Sequence, residues 1–129
     1  MKKYFIVIVD DDPDDCEILA TALKEGYDSM NLLTFSEPDV FLEFIEITPE
    51  IPNIIVLDMY MPKLNGLEVI DKMKQNPNIS DIPIVILSSV TTVSTLNAMN
   101  NPGLIKSFVK PISLMEYSVL ADKIVQTIQ

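Results

Sequence analysis

Five short apolar runs, rich in β-branched residues, most constrain what this chain can fold into. Each run has the length of a strand, and four show the weak alternation expected of strands covered on both faces. Stretches between them repeat apolar residues at helical spacing, as Cys16, Leu19 and Leu23 do. Strands that alternate with helices predict a parallel sheet with helices on both faces. The runs are Tyr4–Val9, Asn31–Phe35, Ile54–Leu57, Ile84–Leu87 and Ser107–Val109.

The composition excludes several kinds of protein. A length of 129 residues suits one domain over residues 1–129, and no apolar run is long enough to cross a membrane. Cys16 is the single cysteine, so an internal disulfide is excluded and the cytoplasm is the expected location. A net charge of −10 with scattered lysines disfavours nucleic acids and anionic membranes as partners. The chain has no histidine or arginine, so its chemistry must use carboxylates, hydroxyls and lysine.

Polar residues follow the apolar runs at the ends where parallel strands place a ligand site. They are Asp10, Asp11, Asp58, Ser88 and Lys110. In a flavodoxin-like (βα)5 sandwich with strand order 2-1-3-4-5, the order reverses between the first and third strands, which brings the three aspartates into one cleft. Crowded carboxylates require a cation, and oxygen ligands without histidine or thiolate suit Mg²⁺. The remaining acids of this region, Asp12, Asp14, Asp15 and Glu17, are interpreted as solvated residues that favour the positive end of a helix dipole.

Four motifs follow one another along the chain: Val9-Asp10-Asp11-Asp12-Pro13, Leu57-Asp58-Met59-Tyr60-Met61-Pro62-Lys63-Leu64-Asn65-Gly66, Ile82-Pro83-Ile84-Val85-Ile86-Leu87-Ser88-Ser89 and Lys110-Pro111. In this order they resemble the receiver domain of two-component response regulators. The resemblance covers essentially the whole chain and implies a cytoplasmic, single-domain regulator of a phosphorelay rather than an enzyme. It also implies a histidine kinase or histidine phosphotransfer protein as donor, a separate output protein, and a monomer or phosphorylation-dependent dimer.

The resemblance also implies a role for each acid of the site. Asp58 would be the phosphoacceptor and a ligand of the magnesium ion. Asp11 would bind the ion directly, Asp10 would act on its bound water, and the backbone carbonyl of Tyr60 would complete the protein ligands.

The motifs that follow the fourth and fifth strands imply the groups that bind the phosphoryl oxygens. Lys110 would pair with Asp58 at rest and with a phosphoryl oxygen afterwards. Ser88 would donate its hydroxyl to another oxygen, and the small Ser89 would leave room for the group. The Lys110–Pro111 peptide would be cis, which aims the lysine into the site.

Three features depart from the family pattern. Ser107 stands where many receivers have an aromatic residue, so either Phe108 takes that switching role or, as strand alternation favours, Phe108 belongs to the core. Tyr60 and Val90 are bulky at positions that border the route of the attacking water, which predicts slow loss of the phosphoryl group. The predicted helix around residues 91–100 is rich in weak helix formers, which fits either an easily remodelled element or an ordinary uncharged helix. The resemblance implies that this helix forms the partner surface together with the last strand and helix.

Three alternatives use the same fold or a similar site. A pseudo-receiver would bind partners without being phosphorylated. A phosphatase of the haloacid-dehalogenase kind would need Asp-x-Asp-x-Thr, but Tyr60 stands where its second aspartate belongs. A flavin carrier would need a phosphate cradle where Asp10 and Asp11 follow the first strand.

Overall fold

The computed structural model describes residues 3–89 and 105–129. Strands and helices alternate along residues 3–89, and a further strand and helix follow within residues 105–129, as the sequence predicts. Val90 and the predicted helix around residues 91–100 lie outside the described residues. The strands are β1 Tyr4–Val9, β2 Met30–Phe35, β3 Ile54–Asp58, β4 Ile84–Ser88 and β5 Ile105–Val109. The helices are α1 Pro13–Gly26, α2 Pro38–Ile47, α3 Gly66–Lys74 and α4 Leu114–Gln126.

The five strands form one parallel sheet in the order β2-β1-β3-β4-β5. This is the predicted flavodoxin-like order, and it reverses between β1 and β3. The register pairs Val9 with Leu57 and Asp58 with Leu87, so the carboxyl ends of the central strands lie at one edge. The sheet therefore brings the predicted site residues to that edge.

Two predicted strands extend further toward the site than their apolar runs. Asp58 is the last residue of β3 and Ser88 the last residue of β4. The backbone N–H of Met59 donates to the Leu87 carbonyl at 2.9 Å, and that of Lys110 donates to the Ser88 carbonyl at 2.8 Å. These bonds continue the sheet through both polar residues and fix their backbones.

The core consists of two layers, one on each face of the sheet. One layer packs Phe41 and Ile45 of α2 and Val69 of α3 against inward-facing residues of the central strands. The other packs Leu19 of α1 and Ile124 of α4 against the opposite face. Helices therefore cover both faces, which confirms the predicted three-layer sandwich.

Each described helix is also too short or too polar to cross a membrane.

Candidate functional site

The carboxyl ends of β1 and β3 bring three aspartates together. Asp10 and Asp58 are buried, whereas Asp11 is exposed. One carboxylate oxygen from each lies within 4.8 Å of the others. The backbone N–H of Asp10 donates to the Phe35 carbonyl at 3.0 Å, which ties the end of β1 to β2. The cluster predicted from the strand order is therefore present.

The surroundings of Asp58 oppose its negative charge. Burial is the main cause that raises the pKa of Asp58, from 3.8 to about 7, and the charge of Asp10 adds to it. Lys110 and the Tyr60 backbone N–H, which donates to Asp58 Oδ1 at 3.3 Å, act in the opposite direction. A cation beside Asp58 would favour the ionised form that a nucleophile requires.

Lys110 enters the site from the residue after β5 and contacts three carboxylates. Its Nζ lies 3.5 Å from Asp58 Oδ2, 3.0 Å from Asp10 Oδ2 and 2.9 Å from Asp15 Oδ2. Burial lowers the pKa of Lys110, but the hydrogen bonds to Asp15 and Asp10 raise it more, so the net shift is upward. Lys110 is thus a fixed cation whose nearest partners are Asp15 and Asp10.

The sequence-based interpretation of Asp15 as a solvated acid of the helix start is wrong. Its side chain is partly buried and forms the shortest of the Lys110 ion pairs. Asp15 lies four residues before the buried Leu19 and so shares the inward side of α1. That spacing is the sequence signal that could have identified it. For Asp12 the interpretation holds, because its carboxylate caps α1 by accepting from the N–H groups of Asp14 and Asp15.

Two buried serine hydroxyls lie on the same face of the neighbouring strands β4 and β5. Neither Ser88 Oγ nor Ser107 Oγ has a hydrogen-bond partner among the described residues. An unpaired buried hydroxyl costs about 1–3 kcal/mol, so each invites an explanation. Ser88 ends β4 directly after Leu87, the residue that pairs with Asp58, so a phosphoryl oxygen on Asp58 could accept a hydrogen bond from its hydroxyl. Ser89, the next residue, is exposed.

The loop after β3 is held by the start of α3. Asn65 Oδ1 accepts from the Glu68 N–H and Glu68 Oε1 accepts from the Asn65 N–H, both at 2.9 Å, which forms a capping box. A Cβ on Gly66 would lie 3.2 Å from the Asp58 carbonyl oxygen and 3.2 Å from Met59 Cα. Glycine at this position lets α3 pack directly on the backbone of the candidate phosphoacceptor.

The prediction of a cis Lys110–Pro111 peptide is wrong, since the described residues contain no cis peptide bond. The trans form of an X–Pro bond is favoured by about 0.5–1 kcal/mol. The three ion pairs of Lys110 form with the trans peptide, so the cis form is not needed to direct the lysine into the site.

Phe108 lies with the core layer of α1 and α4, to which it adds a partly buried ring. The Lys123 ammonium lies 5.8 Å from the centre of that ring. This placement supports the interpretation of Phe108 as a core residue. Tyr60 is 61% exposed, beside the aspartate cluster.

The aspartate cluster fits a hard divalent cation. Its donors are three carboxylates, and crowding and burial already disfavour the ionised form of Asp58. Mg²⁺ is commonly bound through one or two carboxylates while it keeps several waters, and the exposed Asp11 leaves the cluster open to water. Asp10, Asp11 and Asp58 are therefore the described residues that could hold the ion.

Comparisons with known proteins identify similar sequences. The family model of the response regulator receiver domain matches residues 6–121. RcaC of Microchaete diplosiphon is 29% identical over 124 residues, which cover 96% of this chain and 18% of RcaC. Response regulator Rcp1 of Synechocystis sp. is 30% identical over 89 residues, 65% of this chain and 60% of Rcp1. The chain thus spans less than two thirds of the length of either relative.

Solved structures show the same fold. The phosphorylated cyanobacterial phytochrome response regulator RcpA superposes with a TM-score of 0.84 at 20% identity, over 98% of this chain and 94% of RcpA. The Mn²⁺-bound form of Rcp1 gives a TM-score of 0.74 at 25% identity, over 94% of this chain and 91% of that structure.

Proposed function

Since this chain belongs to the response regulator receiver domain family, we propose that residues 1–129 form one receiver domain that accepts a phosphoryl group on Asp58 with the help of Mg²⁺. The observation that carries the proposal is the position of Asp58. It is a buried carboxylate at the end of a central strand, with two further aspartates on one side and a lysine ammonium 3.5 Å away.

In the proposed reaction, an Asp58 carboxylate oxygen attacks the phosphorus of a phosphohistidine on a histidine kinase or phosphotransfer protein. A P–O bond forms, the P–N bond breaks, and its electron pair remains on the imidazole nitrogen. A bound magnesium ion would offset the negative charge of the transferring group. Its proposed ligands are Asp11, Asp58 and the Tyr60 carbonyl, and Asp10 would act on it through a bound water.

Lys110 and Ser88 supply the remaining groups for the phosphoryl oxygens. The Lys110 ammonium neutralises one oxygen, and the Ser88 hydroxyl donates to another, which gives that buried hydroxyl its missing partner. Asp10 would act on a water bound to the ion, and Ser89 would leave space for the phosphoryl group beside Ser88. These roles make the protein a phosphoacceptor that assists its own modification, not an enzyme that acts on other molecules.

The added charge would act through the residues that bind it. Phosphorylation changes the local charge by about −1 and adds acceptor oxygens, which pull Ser88 and Lys110 toward the group and shift the population of loop conformations. A separate output protein would bind one of these populations. The cytoplasm is the proposed location, where such donors and partners would meet it.

Intact mass after incubation with acetyl phosphate tests the proposal. We expect a gain of one phosphoryl group that requires Mg²⁺, is lost in Asp58→Asn, and is retained in Asp71→Asn, which removes an exposed acid of α3. An unchanged mass with both acetyl phosphate and a panel of phosphorylated histidine phosphotransfer proteins would contradict the proposal and favour the pseudo-receiver.

A further inference from the structure

The Lys110 ammonium has three acidic partners, and one of them comes from a helix rather than from a strand end. Asp15, in the first turn of α1, approaches Nζ to 2.9 Å, whereas Asp10 lies at 3.0 Å and Asp58 at 3.5 Å. An ammonium has three N–H donors, so the three carboxylates are sufficient to occupy all of them.

Two of these carboxylates also belong to the cluster that fits a divalent cation. Asp10 and Asp58 contact Lys110 and lie with Asp11 within 4.8 Å of one another. A cation bound there would share Asp10 and Asp58 with the ammonium, and the two positive charges would repel each other. Asp15 is outside this cluster and remains available to Lys110 when the ion takes the other two.

The fold holds Asp15 where it can serve this purpose. Asp12 fixes the start of α1 by accepting from the N–H groups of Asp14 and Asp15. Asp15 then faces inward, four residues before Leu19, and its side chain is 27% exposed. Asp14, one residue earlier in the same turn, is exposed to solvent. Two neighbouring acids of equal charge therefore differ in their contact with Lys110.

We propose that Asp15 is a positioning residue that holds Lys110 while the metal ion engages Asp58 directly and Asp10 through a bound water, and that it thereby reduces the competition between the lysine and Mg²⁺. This inference rests on the proposed function, because it requires Mg²⁺ at the aspartate cluster. It assigns the first turn of α1 a part in preparing the site for phosphoryl transfer.

Calorimetric titration with Mg²⁺ tests the inference in the unphosphorylated protein. In Asp15→Asn, Lys110 retains only the two carboxylates that the ion needs, so we expect the Mg²⁺ affinity to fall about three- to tenfold more than in Asp14→Asn, within the range of coupling seen inside one charge network. Asp14→Asn is the matched control, since it removes the same charge from the same turn.

The same two substitutions in a Lys110→Met background distinguish competition between Lys110 and Mg²⁺ from a simple loss of negative charge. In Lys110→Met the competitor is absent, so Asp15→Asn and Asp14→Asn should then weaken Mg²⁺ binding equally. Equal effects of the two substitutions in the wild-type background, or an excess for Asp15→Asn that persists in Lys110→Met, would overturn the inference alone. A wild-type protein that binds no Mg²⁺ would overturn both the inference and the metal-dependent function on which it rests.

Discussion

The folded protein disfavours the ionised form of the Asp58 carboxyl group. Burial and the neighbouring Asp10 raise its pKa to about 7, although Lys110 lies 3.5 Å away. The Lys110 ammonium also contacts Asp10 and Asp15, both more closely than Asp58, so it offsets the charge of Asp58 only in part. The metal-free site is therefore short of positive charge, and the resting domain is destabilised where Asp58 is ionised.

Removing the Asp58 charge should stabilise the metal-free protein at alkaline pH. The folded pKa, about 7, lies above the unfolded value, so the stability contributed by protonated Asp58 is full below about pH 4 and is lost as the pH rises through 7. Asp58→Asn should thus raise the free energy of unfolding by roughly 1–3 kcal/mol at pH 8, with little change near pH 4. Urea unfolding in EDTA at several pH values measures this.

The exposed acid Asp71 provides the control, since Asp71→Asn should leave the pH dependence of unfolding as it is in the wild type. Parallel stability curves for wild type and Asp58→Asn between pH 4 and 8 would contradict the prediction.

The sequence predicts the site positions of some residues and not of others. Asp10, Asp58 and Lys110 end or follow apolar runs, and the topology of a parallel sheet brings such positions together. Asp15 has an ordinary explanation as an acid at a helix start, and only the packing of α1 decides that it faces Lys110. The trans Lys110–Pro111 peptide could not be predicted from the sequence either, because an X–Pro bond permits both isomers.

Among the elements, α3 bears most directly on the site. Its first residue, Gly66, donates its backbone N–H to the Met59 carbonyl at 2.9 Å, and the Asn65–Glu68 capping box fixes the turn before it. The helix start and the end of β3 are thus packed backbone to backbone. Any atom inserted between them displaces the residue that carries the proposed phosphoryl group.

Gly66→Ala should destabilise the protein by about 1–3 kcal/mol, because the new Cβ would meet two backbone atoms at 3.2 Å that have little freedom to move. Gly26→Ala is the matched control, since a Cβ there meets nothing within 4 Å. The added Cβ also lowers the conformational entropy of the unfolded chain. Urea midpoints should therefore fall for Gly66→Ala and stay level or rise for Gly26→Ala. A loss of the same size in both variants would show that the close approach is not the cause.

The elements were predictable in kind and order, but their ends were not. β3 and β4 continue into Asp58 and Ser88 because backbone bonds from Met59 and Lys110 extend the sheet past the apolar residues. Those bonds depend on the neighbouring strand, so local composition does not contain them. β5 begins at Ile105, two residues before the predicted run, for the same kind of reason, since Ile105 pairs with Ile84.

For the molecule as a whole, stability comes from the two core layers that enclose the sheet. Phe41 of α2 is fully buried in the layer shared with α3, whereas Ile47, at the end of the same helix, is 81% exposed. Both residues are large and apolar, so a difference between their substitutions reports the effect of burial and not of residue type.

Phe41→Ala should lower the free energy of unfolding by about 3–5 kcal/mol, through lost burial and the cavity that remains. Ile47→Ala should change it by no more than about 0.5 kcal/mol. Chemical unfolding followed by circular dichroism measures both, and similar losses in the two variants would count against the packing described for α2.

The central position of β1 also has a consequence for how the chain is made. β1 is synthesised before β2 and β3, yet it pairs with β2 on one side and with β3 on the other, where Ile54 pairs with Ile6. At about 5–20 residues per second, translation leaves several seconds in which this apolar strand has an open edge. A ribosome that pauses before residue 54 would therefore hold a nascent chain whose most hydrophobic strand is exposed to chaperones, or to other chains.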